Sequence, residues 1–324
     1  MALLREWGLT LGKWTGRSAA TLERDSGDPD VTRAREAAEA GDWTSLRAVL
    51  EARPESTDRA DLLMAVANTA GVERWITGVL EAEPDAALPR LVAGFRQVRW
   101  GWEARTGMRA EYVSREQFEV FHDRLRTAET WLYEAAEREP AWTSPWYGLL
   151  MSGRGLEVGP VVARRRFEAA VRRDPYHLGA HQQRLQQVCE KWNGSHEEMH
   201  AFAREAAFGA PVGTPLGQLV ALAHIEHWLA LDGDPGVAYM RRPDVVASLH
   251  QAADHAYRHP EFAPRTGRLQ VFNSFAMAFS MAGERAAARE CFEASGGLVT
   301  EFPWSYLDGD PVAAYRKHRS AAGR

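Results

Sequence analysis

Lysine is nearly missing from this 324-residue chain: only Lys13, Lys191 and Lys317 stand among 39 basic residues, and the rest are arginine. Cysteine is scarcer still. Cys189 and Cys291 lie far apart and in neither metal nor redox spacing, which excludes a disulfide scaffold and fits a reducing cytosol. The net charge of −5 provides no broad basic surface, so nucleic acid is set aside as a partner. No run approaches the roughly 20 apolar residues of a membrane span. The opening "MALLREWGLTLGKWTGRS" lacks the unbroken apolar core of a signal peptide. Strand-like alternation, a phosphate loop of the G-x-x-x-x-G-K-[ST] type and a G-x-S-x-G elbow are all missing as well. What these absences leave is an all-α, cytoplasmic protein, 45% hydrophobic and long enough for a large core.

What is present is helix after helix. Ser114-x-x-Gln117 and Ser195-x-x-Glu198 have the form of capping boxes. Ser144-Pro145, Thr214-Pro215 and Asp310-Pro311 each place a good N-cap before a proline at the first helical position. Three side chains precede each of several prolines at fixed offsets: Val72, Ile76 and Val79 before Pro84; Ala128, Leu132 and Ala135 before Pro140; Ala163, Phe167 and Ala170 before Pro175; Met199, Ala203 and Ala206 before Pro211. Ser248, Ala252 and His255 before Pro260 repeat it more weakly. Spacings of four and three keep each trio on one helical stripe, and proline, with its ring and missing N–H, then stops the helix. The prolines at 140, 175 and 211 fall 35 and 36 residues apart, near the ~34-residue period of one helical hairpin.

The string A-x-x-x-F-x-x-A-x-x-x-x-P at Ala163–Pro175 resembles the second helix of a tetratricopeptide hairpin. "MAGERAAARECFEAS" (281–295) resembles the turn and second helix of another, and "AGDWTSLRAVLEARP" (40–54) a degenerate first unit. "KWNGSHEEMHAFARE" is similar to a W-G-G-S-x-E-x-M…F-A-R element of uncharacterised, largely actinobacterial tetratricopeptide-like proteins, with Asn193 where that element has glycine. "GWEAR" (101–105) and "RRPDV" (241–245) also look like that group, and the Arg-, Ala- and Gly-rich composition suits it. The resemblance implies an irregular α-solenoid over 31–311, with 1–30 an N-terminal helix or tail and 312–324 a short basic C-terminal helix or tail. It implies no activity. Leu4, Trp7, Leu11 and Trp14 share one face of the N-terminal segment, which either docks on the core or meets a membrane surface.

His196-Glu197-Glu198-Met199-His200 matches H-E-x-x-H, the zinc-protease signature. With Met199, Ala203 and Ala206 facing inward, His196 and His200 are expected on the polar, outer side of their helix. Zinc also needs a third protein ligand, and the metzincin continuation fails because Ala203 and Ala206 occupy its Gly and His places. His224, Glu226 and His227 in "HIEHW" are the nearest alternative ligands. No metal or other cofactor is therefore favoured. Zinc at His196, His200, His224 and His227, with Glu197 as base, stands as the alternative.

In the repeat register the first helices line a concave groove. The groove positions are Arg96, Arg99 and Trp100; Gln183, Gln187, Glu190 and Lys191; Glu226 and His227; Arg265 and Arg268. Arginine forks match carboxylates, so the expected function is an adaptor for a protein or peptide carrying acidic groups or a free C-terminus, without catalysis. Trp100, Trp102, Trp131, Trp142 and Trp146 are expected mainly in the core, where aromatics knit helices together. A tryptophan-lined pocket anchored by Arg99, Glu103 and Arg105 is the enzyme-like alternative, acting on a peptide or small molecule.

Overall fold

Each of the striped helices stops short of its proline. In the computed structural model α4 (Val72–Ala82) ends before Pro84, α6 (Arg115–Arg138) before Pro140, α8 (Gly159–Val171) before Pro175, α10 (His196–Gly209) before Pro211 and α13 (Pro243–His255) before Pro260. The structure describes residues 20–323 apart from 26, 54–56, 107–111, 193, 232, 265–266 and 308. The N-terminal amphipathic segment and Arg265 lie outside the described residues. The stripes turn inward: Ile76, Ala128, Leu132, Ala135, Ala170, Met199 and Ala203 are at most 1% exposed. Ser114 and Gln117 form the reciprocal capping box on α6, and the Ser195 hydroxyl accepts the Glu198 N–H at the start of α10. Thr143 rather than Ser144 is the N-cap residue before Pro145.

The remaining helices are α1 (Pro29–Ala40), α2 (Trp43–Glu51), α3 (Thr57–Ala67), α5 (Ala87–Arg105), α7 (Ser144–Gly155), α9 (Leu178–Gln187), α11 (Gln218–Ala230), α12 (Asp234–Met240), α14 (Arg268–Ala282), α15 (Arg285–Ala294), α16 (Glu301–Trp304) and α17 (Pro311–Ala322). The described chain is thus all-helical except for a two-residue parallel pair, β1 (Thr21–Leu22) with β2 (Leu298–Val299).

Contacts follow a two-row pattern. Helices α1, α3, α5, α7, α9, α11 and α14 each pack on the next, forming a first row. Helix α6 bridges α5 and α7, α8 bridges α7 and α9, α10 bridges α9 and α11, and α13 bridges α11 and α14, forming a second row. Helix α12 is inserted between α11 and α13. The rows close up where glycine removes a side chain. A Cβ on Gly94 of α5 or Gly148 of α7 would sit within 3 Å of Leu132 of α6, and one on Gly155 would sit 2.4 Å from Phe121.

The first row curls, because α3 also touches α9, and the β pair joins the beginning of the described chain to its end. Arg316 of α17 donates to the Ala20 carbonyl at 2.8 Å, and Ala20 is buried in the C-terminal core. A pair of two-residue strands has little stability of its own; here the packed helices hold its register.

Candidate ligand-binding site

Three of the buried arginines in this fold, Arg53, Arg96 and Arg166, are neutralised by carboxylates, and buried Arg59 donates to the Arg53 carbonyl. Arg53 is held by Asp28 and Asp30, and Arg166 forks onto Glu129 at 2.7 and 2.9 Å. Arg96 reaches Glu73 at 2.7 Å, Glu103 at 3.1 Å and the Ala67 carbonyl at 2.8 Å. Burial opposes the Arg96 charge, but Glu103 and Glu73 outweigh it and hold the guanidinium above its ordinary range.

Half-buried Arg154 has no carboxylate partner among the described residues. It lies at the C-terminal end of α7, where its guanidinium carbon is 4.8 Å from the Trp102 ring centre and 5.5 Å from that of Trp192. The two indoles meet edge to face, with centres 6.3 Å apart. Arg154 Nε is sealed from solvent and has no hydrogen-bond partner. Burial pushes the guanidinium below its ordinary range. The nearest carboxylate that influences it, Glu226, is already engaged. Glu226 Oε1 accepts from Gln186 Nε2 and the Tyr306 hydroxyl, both at 2.5 Å, and Oε2 accepts from Lys191 Nζ at 2.7 Å. Arg154 is half-buried, so its charge is only partly desolvated; its contacts with the two rings return about 0.5–2 kcal/mol, and no described carboxylate pairs with it.

Two cavities meet at this side chain. One, of about 310 Å³, is lined by α3, α5, α7 and α9 through Met64, Phe95, Val98, Arg99, Trp102, Met151, Arg154 and Gln183. All four are first-row helices. The other, of about 190 Å³, opens toward α8, α9 and α10 and is lined by Gln187, Arg184, Trp192 and Glu198. Gln183 Oε1 and Gln187 Oε1 are both sealed without a donor.

The structure divides the expected groove residues. Arg99, Gln183 and Gln187 border these cavities, and Lys191 and Glu226, with Glu190, line a smaller one beside them. Arg96 does not line a groove: it is 2% exposed and ties α5 to α4. Replacing it with leucine leaves half-buried Glu73 without its cation. The expected cost is about 3–5 kcal/mol, read as a lowered urea midpoint with no separate effect on binding. Trp100 stacks under Arg124 of α6, 3.6 Å from its ring centre, and so faces the second row. Arg268 is exposed at a different cavity, between α1 and α14. Of the tryptophans expected in the core, Trp102, Trp131, Trp142 and Trp146 pack against it. Glu103 is spent on Arg96 and Arg99.

Arg154 was not among the sequence-derived groove positions. The offsets that select Arg96, Arg99 and Trp100 from Pro84 select Ser152, Gly155 and Leu156 when counted from Pro140, and so step over it. The one local signal is an arginine near the end of a first-row helix that is otherwise small and apolar.

The histidines need a correction. They are not stranded on the outer face of α10. His200 Nε2 lies 3.0 Å from His227 Nδ1 and 3.1 Å from the Tyr239 hydroxyl. His224 Nδ1 is 2.7 Å from that hydroxyl, and His224 Nε2 is 3.2 Å from Ser248 Oγ. His196 stacks on His227 with ring centres 3.9 Å apart and lies 3.1 Å from Glu190. Burial, followed by the neighbouring imidazoles, pushes His200 down to about 4 and His224 to about 3. For His227, burial and then His196 and Arg242 push it down to about 4. Neutral tautomers close this network: Nε2–H of His200 donates to His227, Tyr239 O–H to His224, and Nε2–H of His224 to Ser248. Glu197 is exposed and stands outside it, so a hydrolytic base is not placed beside these rings. Among the described residues no group of three or more His, Cys, Asp or Glu side chains has the arrangement of a metal site. The helical wheel misled because α12, inserted after α11, brings Tyr239 over the face that would otherwise be open.

Cys189 and Cys291 are free and buried, and burial pushes both thiols up to about 12, far from nucleophilic. No described helix is long and apolar enough to cross a membrane. No protein-family model matches the chain, and no curated protein matches it.

Proposed function

We propose that this protein is a tetratricopeptide-like superhelix of helical hairpins that binds an acidic segment of a protein or peptide, without catalysis. The observation that carries the reading is Arg154: a half-buried cation between two indoles, without a carboxylate partner among the described residues, at the junction of two cavities, in a fold that pairs Arg53, Arg96 and Arg166 with carboxylates. The alternation of a first row with a second supports the hairpin array, since each second-row helix from α6 to α13 bridges two first-row neighbours. The cavity of about 310 Å³ is walled by first-row helices, which in such arrays face the groove. Arg99, 44% exposed, adds a second cation at its rim. Two free, buried thiols suit a cytoplasmic setting.

The test is a random-sequence peptide pool passed over immobilised protein. Sequences rich in Asp, Glu or free carboxyl ends are expected to be enriched, and their retention to weaken with salt as an arginine–carboxylate contact at a partly open site does. A retained pool with no acidic bias, or no retention at all, overturns the reading.

A further inference from the structure

A relay of side-chain amides fixes what one further cavity presents. Gln218 of α11 is 0% exposed, and its Nε2 donates to the Gln270 backbone carbonyl of α14 at 3.1 Å and to Ser274 Oγ at 2.8 Å. A backbone carbonyl only accepts, so Gln218 turns its Oε1 toward α9. There Gln182 Nε2 donates to it at 3.0 Å and gives its other proton to Gln270 Oε1 at 3.3 Å. The relay leaves one acceptor, Gln182 Oε1, and one donor, Gln270 Nε2. Neither is bonded to a described residue, and neither is sealed from solvent. Their amides meet at 3.3 Å, so the two free atoms are no more than about 8 Å apart. Both residues line a cavity of about 260 Å³ between α3, α7, α9 and α14.

A third polar group enters this space from α7. Tyr147 is 8% exposed and lines the cavity, and its hydroxyl is neither sealed nor bonded to a described residue. Gly179 of α9 makes room for it: a Cβ there would stand 3.0 Å from the hydroxyl oxygen. Gly179 lies one turn before Gln182 on the same face, so the three groups follow one another along α9. Burial, and then the Asp61 carboxylate, hold the phenol above its ordinary range, so it keeps its proton. A buried tyrosine hydroxyl ordinarily finds a partner; this one ends in a cavity.

A ligand that answers this lining must donate to Gln182, accept from Gln270 and meet the Tyr147 hydroxyl at short range. A hydroxyl is donor and acceptor at once, so neighbouring hydroxyls on one small ring meet all three however the amide planes tilt. A planar amide edge would need both free atoms in its own plane. An ammonium group has no acceptor for Gln270, and a carboxylate has no donor for Gln182. Half-buried Phe302, with Met64 and Leu178, offers apolar surface to the C–H groups of such a ring. The volume falls just under the roughly 300–1,000 Å³ of drug-sized pockets, which suits a single ring.

We infer that this cavity binds an uncharged polyhydroxylated ring of monosaccharide size, its hydroxyls bonded to Gln182 Oε1, Gln270 Nε2 and the Tyr147 hydroxyl. The cavity shares only Met64 with the larger cavity at Arg154, and the inference does not rest on the peptide-binding reading.

Saturation-transfer NMR on the full chain tests it with a mixture of neutral pentoses, hexoses and myo-inositol, and with uracil and N-acetylglycinamide as planar amide probes. At least one sugar or inositol is expected to bind, more tightly than either amide probe. Among deoxy analogues of the compound that binds, at least one is expected to be weaker by about fivefold, the worth of one hydrogen bond. Tyr147→Phe removes a hydroxyl that no described residue uses, so the thermal midpoint should hold while affinity falls by about fivefold. The deoxy comparison does not depend on any variant folding. Tighter binding of an amide probe, deoxy analogues that all bind as well as the parent, undiminished binding to Tyr147→Phe, or no binding by any sugar or inositol overturns the inference. None of these outcomes bears on the retention of acidic peptides, which is measured separately.

Discussion

Replacing Arg154 with methionine is expected to abolish capture of acidic ligands while leaving the fold at least as stable as before. The two effects have one cause. The native guanidinium lies between Trp102 and Trp192 with a sealed Nε and no carboxylate of its own. Methionine fills similar volume against the same rings, removes the cost of partly desolvating a charge that has no carboxylate partner, and gives up the cation–π attraction. Exchange of buried charge for well-packed apolar volume is often neutral or stabilising by about 1–4 kcal/mol, so thermal unfolding should move upward or stay in place. Binding should fall by about 30-fold or more, the usual result of truncating one partner of a buried charge pair. Arg126→Met, at an exposed position on α6, serves as the control and should change neither quantity. A destabilised Arg154→Met protein would mean that the guanidinium has a structural partner after all. Undiminished binding would remove it from the site.

Acid is expected to unfold this protein earlier than its carboxylates alone would dictate. Burial pushes His177 down to about 4, as it does His200, and His224 to about 3. His177 is 0% exposed, and its Nδ1 accepts the Ala180 N–H as the N-cap of α9. Above pH 6.5 these rings are neutral in both states and native stability is fully present. As pH falls through 6.5 the unfolded chain takes up protons that the native rings refuse, so stability declines until the native rings themselves titrate near 4 and 3. A shift from 6.5 to about 4 corresponds to roughly 3 kcal/mol for one well-buried group, so several such groups draw heavily on a total of roughly 5–15 kcal/mol. The lowered carboxylates, such as Asp25 beside Arg35 and Glu83 beside Arg47, act only at lower pH, as protonation proceeds below their unfolded values. Urea midpoints at pH 7.5, 6 and 4.5 should fall steadily, and His177→Asn, which keeps a capping acceptor but cannot titrate, should flatten part of the slope. A midpoint unchanged from pH 7.5 to 4.5 would show that the rings are not held neutral.

Much of the helical plan is legible without coordinates. Apolar stripes ahead of Pro84, Pro140, Pro175 and Pro211 report buried faces, because period and helix termination are local properties. The candidate site is less legible. Arg96 and Arg99 are three residues apart on α5, yet one is a clamped internal strut and the other a rim cation. Their difference is Glu73, which arrives from another helix. Lys191 and Glu226 are expected in the groove; the structure pairs them with one another, and Tyr306, 80 residues beyond Glu226, completes the set.

The sequence by itself therefore determined nearly where the helices start and stop, which apolar stripes they bury, and that the described chain is all-helical, since these follow from residues within a few turns of one another. Only the tertiary structure decided which charges are neutralised, which are left waiting and which histidines meet. Pairing depends on the distance between side chains remote along the chain, and that distance exists only once the rows have packed. Arg154 is the clearest case: nothing near it in sequence separates it from its clamped counterparts, and the lack of a carboxylate beside it appears only in the folded molecule.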